Sequence, residues 1–299
     1  MKKKVVGLGE VLWDLLPRGA SLGGAPANFA YIANLMGDRG IVASCVGEDS
    51  RGLHALRRMR ELGLDIDHMQ TDREHPTGTV KVEVGPHGQP RFEIAREAAW
   101  DHLQWTPDWQ HLAETADAIC FGSLAQRSLE SRATIRQFLV SASPRAVKVF
   151  DVNLRQTYYS EEVIAESMKL AGIVKVNDDE LPTILSLSRI AHDDELSSAQ
   201  KLIRAYDLEI VCITRGSKGS LLVRADEASE HIGFKVHVAD TVGAGDAFTA
   251  GLVHEHLKGA SLARMNEVAN RVGAWVAGEI GAMPIPAKGT IEHSLAEIG

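Results

Sequence analysis

No apolar run in the 299-residue chain is long enough to cross a bilayer, and no lysine- and arginine-rich block follows the initial Lys2, Lys3 and Lys4. The first absence argues against a membrane-embedded protein. The second, together with a formal net charge of −8, argues against a nucleic acid partner. Glu10 and Asp14 break the apolar stretch behind the lysines too early for a signal-peptide core, which predicts a cytoplasmic protein. Cysteine is scarce as well. Cys45, Cys120 and Cys212 have no CxxC partner and each sits in a short strand-like apolar run, so reduced core thiols are expected. Histidines are scattered, and the close pair His254 and His256 stands two apart on a predicted helix, where side chains diverge instead of converging on a metal. Surface placement is expected for both.

Several familiar motifs are missing too. The Walker A pattern GxxxxGK followed by Ser or Thr is absent, which excludes a P-loop NTPase. Gly7-Leu8-Gly9 hints at a dinucleotide fingerprint, but the third glycine would fall where Leu12 stands. Protein-kinase signatures and a GxSxG nucleophile elbow are likewise absent.

What is present is a regular alternation. Apolar runs of strand length at residues 5–8, 41–46, 119–121, 147–152, 173–176 and 210–214 are separated by helical patterns such as 27–36 and 53–62. This predicts an α/β fold, a mostly parallel sheet with helices on both faces, with no second independent domain in residues 1–299. One segment breaks the rhythm. Residues 77–84 alternate β-branched and polar side chains, a GPHGQP turn occupies 85–90, and 91–94 alternate again, as in a β-hairpin. Such a hairpin projects from the main sheet as a natural lid, or else decorates its edge.

Two glycine-rich turns carry the chemistry. DTVGAGD, from Asp240 to Asp246, sets Gly243 and Gly245 just before a helical pattern, so successive N–H groups and the helix dipole can cradle an anion such as phosphate. A carboxylate there gains nothing from holding phosphate, so Asp246 suits proton abstraction from an attacking group. An ordinary strand-to-helix turn with an N-terminal carboxylate fits the same residues. The second turn, Gly23-Gly24-Ala25-Pro26, opens a helix containing Asn28, and Asp14 closes the first predicted strand. Asp14 and Asn28 offer acceptors and donors suited to a polyol, although a solvated loop residue and a first-turn helix residue would look the same.

With these motifs in place, the chain resembles the ribokinase-like, or PfkB, carbohydrate kinase family, and is most similar to its fructokinase-type members. Two signatures carry the resemblance: GGAPANFA at residues 23–30 and DTVGAGDAFTAG at residues 240–251. GEVLWDLLP from Gly9, PTGTV from Pro76, AAWD from Ala98, FGSLAQR from Phe121, DVNLR from Asp151, VNDDE from Val176 and ITRGSKGS from Ile213 extend it along nearly the whole chain. The resemblance implies a three-layer α/β/α sandwich with a mostly parallel central sheet and a small β-sheet lid formed by segments near 10–20 and 75–101.

It also implies roles. Asp246 becomes the base that deprotonates a sugar hydroxyl, while Gly243, Ala244 and Gly245 amides stabilise the transferring phosphoryl group of ATP. Asp14, Gly24 and Asn28 hold the sugar, and Arg155 stands near the substrate or phosphate end. Asn177 and Glu180 match an NxxE element that organises magnesium, though VNDDE alone would pass for a solvated helix start. Thr214, Gly216 and Gly219 match the nucleotide-carrying turn, and Asn270 a position near adenine. Asp240, Val242 and Gly281 resemble potassium-binding loops. The implied function is ATP-dependent phosphorylation of a primary hydroxyl, with fructose as first candidate. 2-Keto-3-deoxygluconate and ribose are the alternatives, and a non-catalytic sugar or nucleotide sensor is the reading from another class. A homodimer joined through the lids is expected, with Val80, Val82, Phe92 and Ile94 giving the lid an apolar face.

Overall fold

The strands take their two-sided apolar character from burial on both faces. In the computed structural model, which describes residues 2–16, 19–84 and 90–298, the chain runs β1 (Lys4–Leu8), β2 (Leu12–Leu16), β3 (Gly19–Gly23), α1 (Ala25–Leu35), β4 (Arg39–Ala43), β5 (Cys45–Gly47) and α2 (Ser50–Glu61). It continues through β6 (Gln70–Asp72), β7 (Gly78–Val84), β8 (Pro90–Ile94), α3 (Pro107–Thr115), β9 (Ala118–Phe121), α4 (Leu129–Ser141), β10 (Val147–Asp151), α5 (Glu161–Leu170) and β11 (Ile173–Asn177). The remaining elements are α6 (Leu181–Leu187), α7 (Glu195–Tyr206), β12 (Ile210–Thr214), β13 (Ser220–Val223), β14 (Ala228–His231), α8 (Ala244–Leu257), α9 (Leu262–Ala277) and α10 (Ile291–Ala296).

Eight strands form the central sheet in the order β14-β13-β12-β11-β10-β9-β1-β4, parallel from β12 to β4 and antiparallel at the β13 and β14 edge. Side chains alternate across it, as a period of two requires. Val6, Phe121, Phe150, Val174 and Ile213 face a core closed by α3 to α7, whereas Val5, Cys120, Val149, Ile173 and Cys212 face one closed by α1, α2, α8 and α9. The three-layer expectation holds, and all three cysteines are free and buried.

A separate four-stranded sheet, β3-β2-β7-β8, contains the expected hairpin, with Val80 opposite Ile94 and both buried. Residues 85–89 of its turn and the side chains of Val82 and Phe92 lie outside the described residues. Two element readings need correction. The apolar run 41–46 is not one strand: it divides around the buried Ser44, and β5 leaves the central sheet to pair with β6. Asp14 does not close the first strand but lies within β2, opposite Ser21. No helix among the described residues is long and apolar enough to cross a membrane.

Candidate active site

The carboxyl ends of the parallel strands collect the charged residues, at the end of the sheet where open α/β proteins bind ligands. Asp151 ends β10, Asn177 ends β11 and Thr214 ends β12, while α1 and α8 point their first turns at the same end. α8 begins at Gly243, whose φ of 80° is left-handed and is held against Ala282, where a Cβ would come within 2.4 Å of the alanine Cβ. No side chain caps this helix, and the Ala244 N–H donates to the Thr241 carbonyl oxygen at 3.3 Å. The turn at Gly243, Ala244 and Gly245 thus has the strand-to-helix geometry expected of it, with Asp246 in the first turn of the helix.

Asp246 meets α1 directly: Asn28 Nδ2 donates to its Oδ2 at 2.8 Å. Burial pushes the Asp246 carboxyl up and the Asp151 charge adds to it, while Asn28, Lys175 and Arg155 pull it back, leaving a pKa of about 6. A carboxylate poised there can accept a proton near neutral pH. Next to it, Asn28 Oδ1 and Glu10 Oε2 are buried acceptors without a partner. Glu10 follows β1, and its carboxyl is pushed to about 7, mainly by burial, with Asp246 adding and Arg155 opposing. Asp14 on β2 is also raised to about 6, by burial and by Asp240, against Arg155. Arg155 itself is exposed, yet its charge acts on all three acids. Gly24, at φ 110°, brings α1 so close that a Cβ would lie 2.4 Å from the Glu10 carbonyl oxygen.

Beneath the Gly243, Ala244 and Gly245 turn lies a pair that the motif reading passed over. Lys175 Nζ bonds both oxygens of Asp151, at 3.0 and 3.2 Å, across the β10–β11 register, and Thr249 of α8 donates to the same carboxylate at 2.9 Å. Burial alone would lower the Lys175 ammonium, but Asp151, Glu180 and Asp246 hold it up, so it stays charged. A Cβ on Gly245 would lie 3.0 Å from that nitrogen, placing a fixed positive charge directly under the turn. The available signal was a lysine and an aspartate interrupting the apolar strands IVKVN and KVFD.

Asn177 and Glu180 form a reciprocal box. Asn177 Oδ1 accepts from the Glu180 N–H at 2.7 Å, and Glu180 accepts from Asn177 N at 3.0 Å and Leu154 N at 2.7 Å. Thr214 lies opposite Asn177 in register, and the short turn Gly216–Lys218 follows it. Gly219, which ends that turn, packs against the His231 carbonyl. Asn270 is buried on α9, where its amide donates to Ser220 Oγ and to Asn266, tying α9 to β13. Asp240 clamps two loops, accepting from Val242 N at 3.0 Å and Gly281 N at 3.2 Å.

One expectation fares differently. His254 and His256 are largely sheltered, not on the surface: His254 Nδ1 pairs with the buried Asp38 at 2.8 Å, and His256 faces Glu209. Trp100 is fully buried beneath Arg127 at the lid root, a packing residue.

Comparison with known proteins gives this geometry its context. The chain is 30% identical over 267 residues to a fructokinase of Escherichia coli, covering 85% of this chain and 84% of that protein. The structure of a sugar kinase from Pyrococcus horikoshii in complex with ATP superposes with a TM-score of 0.79 at 27% identity, over 92% of this chain and 93% of that one. A Vibrio cholerae fructokinase, solved with fructose, ADP and calcium and as a double mutant with fructose, ADP and potassium, shares the fold at a TM-score of 0.81 and 24% identity, over 100% of this chain and 99% of that one. The pattern described as pfkB family carbohydrate kinase matches residues 19–288. The chain belongs to that family of carbohydrate kinases, phosphotransferases with an alcohol group as acceptor.

Proposed function

We propose that this kinase transfers the γ-phosphoryl group of ATP to a primary hydroxyl of fructose. One observation carries the reading: Asp246 stands beside two buried acceptors without partners, Asn28 Oδ1 and Glu10 Oε2, under an uncapped helix start. Hydroxyl groups would satisfy those acceptors, since an unpaired buried acceptor costs about 1–3 kcal/mol. Asn28 holds Oδ2 of Asp246 and leaves Oδ1 to take the proton of the reacting hydroxyl. As that proton leaves, the hydroxyl oxygen attacks the phosphorus and the bond to the ADP leaving group breaks. The Gly243, Ala244 and Gly245 turn, with Lys175 beneath it, stabilises the negative charge in transit. Asp14, Gly24 and Asn28 hold the sugar, with Arg155 at the substrate or phosphate end.

Asn177 and Glu180 suit magnesium as hard oxygen donors, and because their oxygens already accept backbone N–H groups they would reach it through its waters. Magnesium would shield the phosphate charges. Thr214, Gly216, Gly219 and Asn270 line the nucleotide end in this reading. The Asp240, Val242 and Gly281 junction, already tied by two hydrogen bonds, would hold potassium through its carbonyls and brace the cradle. The E. coli relative's name favours fructose over 2-keto-3-deoxygluconate or ribose.

The test is ADP release with magnesium ATP and a sugar panel, beside Asp246→Asn. Fructose-dependent turnover that the substitution removes is the expected result. Turnover with another sugar replaces fructose as substrate, and none with any sugar overturns the reading. The four-stranded lid is proposed to pair between two subunits, so light scattering at micromolar concentration should give twice the chain mass of 32.4 kDa. A monomer there refutes the lid dimer.

A further inference from the structure

The two legs of the lid hairpin rejoin the main body at a cluster that the kinase chemistry does not use. His75 precedes β7, and Glu97 and His102 follow β8, yet one nitrogen of each histidine and a glutamate oxygen all lie within 4.8 Å of one another. We propose that His75, His102 and Glu97 bind one divalent transition-metal cation of the zinc class, which fastens the lid at its root.

The surroundings are arranged as ligating histidines require. His75 Nδ1 is held by Asp72 at 2.8 Å, and His102 Nδ1 by Glu130 at 2.9 Å, so Nε2 is the available nitrogen on each ring. A carboxylate on the far nitrogen is the usual support of a metal-bound imidazole, since it fixes the tautomer and raises basicity. His102 Nε2 is buried without a hydrogen-bond partner and faces Glu97 Oε2 at 3.7 Å. Glu97 is held at φ 52°, a left-handed conformation that non-glycine residues rarely adopt. Asp72, Glu74, Glu97 and Glu130 make the local field negative, and Gln104 bonds Glu130 on its outer side.

Binding requires one rearrangement. The two rings stack with centroids 3.5 Å apart and planes 11° apart, and a metal at about 2.0–2.1 Å from each nitrogen cannot lie in two parallel planes. The rings must therefore turn apart about their carboxylate-held nitrogens, and the exposed Glu97 swings in to close the set. Two imidazoles and one carboxylate leave a fourth position for water, a donor set that suits zinc, cobalt or nickel.

Zinc chloride titrated into untagged, EDTA-dialysed protein, followed by calorimetry and elemental analysis, tests the site. One zinc per chain is expected, weakened at least 10-fold in His75→Ala and His102→Ala and about 10- to 100-fold in Glu130→Gln. Cobalt added to native protein should give the intense visible absorption of a four-coordinate site. Should the histidine variants not fold, the exposed Glu97→Ala decides, because it removes a ligand without touching the core. No zinc uptake by native protein, or uptake unchanged in Glu97→Ala, overturns the proposal.

Discussion

Two aspartates differ in how much of their bonding the fold supplies. Asp101, in the AAWD segment, is saturated: Ala98 N donates to it at 3.0 Å, and Arg127 reaches its two oxygens through Nε and Nη2 at 2.8 and 2.7 Å. Arg127 also lies over Trp100 and Tyr158, at 4.1 and 4.7 Å from the ring centres, so the pair locks the lid's outgoing leg to the FGSLAQR segment. Asp246 has the opposite surroundings. Among the described residues only Asn28 donates to it, its neighbours Asp151 and Glu10 are acids, and its carboxyl is held at about 6. One carboxylate has its acceptor capacity filled by the fold, and the other keeps lone pairs that no side chain among the described residues uses.

Replacing each by a neutral residue should break the comparison in opposite ways. Asp246→Asn should lower kcat by about 10²–10⁴-fold, the usual worth of a positioned general base. Its stability should rise. The folded pKa of about 6 exceeds the unfolded value, so the group's favourable contribution is full below the unfolded pKa and is lost as pH rises through 6. At neutral pH the charged form is the less stable one, and removing it should gain on the order of 1–2 kcal/mol in chemical denaturation. Asp101→Ala should do the reverse, destabilising by about 3–5 kcal/mol because the buried Arg127 charge loses its carboxylate partner. Its effect on turnover should appear mainly in KM, through the lid. Equal loss of kcat in both variants would erase the distinction.

The distinction was only half legible in the sequence. Glycine spacing and strand-length apolar runs announced both turns and the parallel sheet, because backbone demands at a cradle leave few residue choices. Asp246 and Asn28 were visible as candidates, but the bond joining them spans 218 positions and no spacing rule reports it. Lys175 and Asp151 were hidden for a related reason. Each looks like an error in an apolar strand until the register sets them opposite each other. His254 was misplaced because its partner Asp38 comes from the turn after α1. The run 41–46 concealed a change of sheet, since a fully buried strand has no polar face to mark where its partner changes.

The smallest expected effect sharpens the comparison most. If Asp246 accepts the proton, kcat/KM should fall on the acid side with an apparent pKa near 6. Glu10 and Asp14 titrate in the same range, so the limb belongs to the cluster until one contributor is moved. Asn28→Ala does this. The Asn28 amide lowers the Asp246 pKa by hydrogen bonding to the charged form, and its removal should shift the limb upward. Glu10 has no bond to Asn28, and any pull on it through Asp246 runs the other way, because a more protonated Asp246 repels Glu10 less. An upward shift in the pH profile of Asn28→Ala therefore assigns the limb to Asp246, and an unmoved or lowered limb assigns it to Glu10 or Asp14.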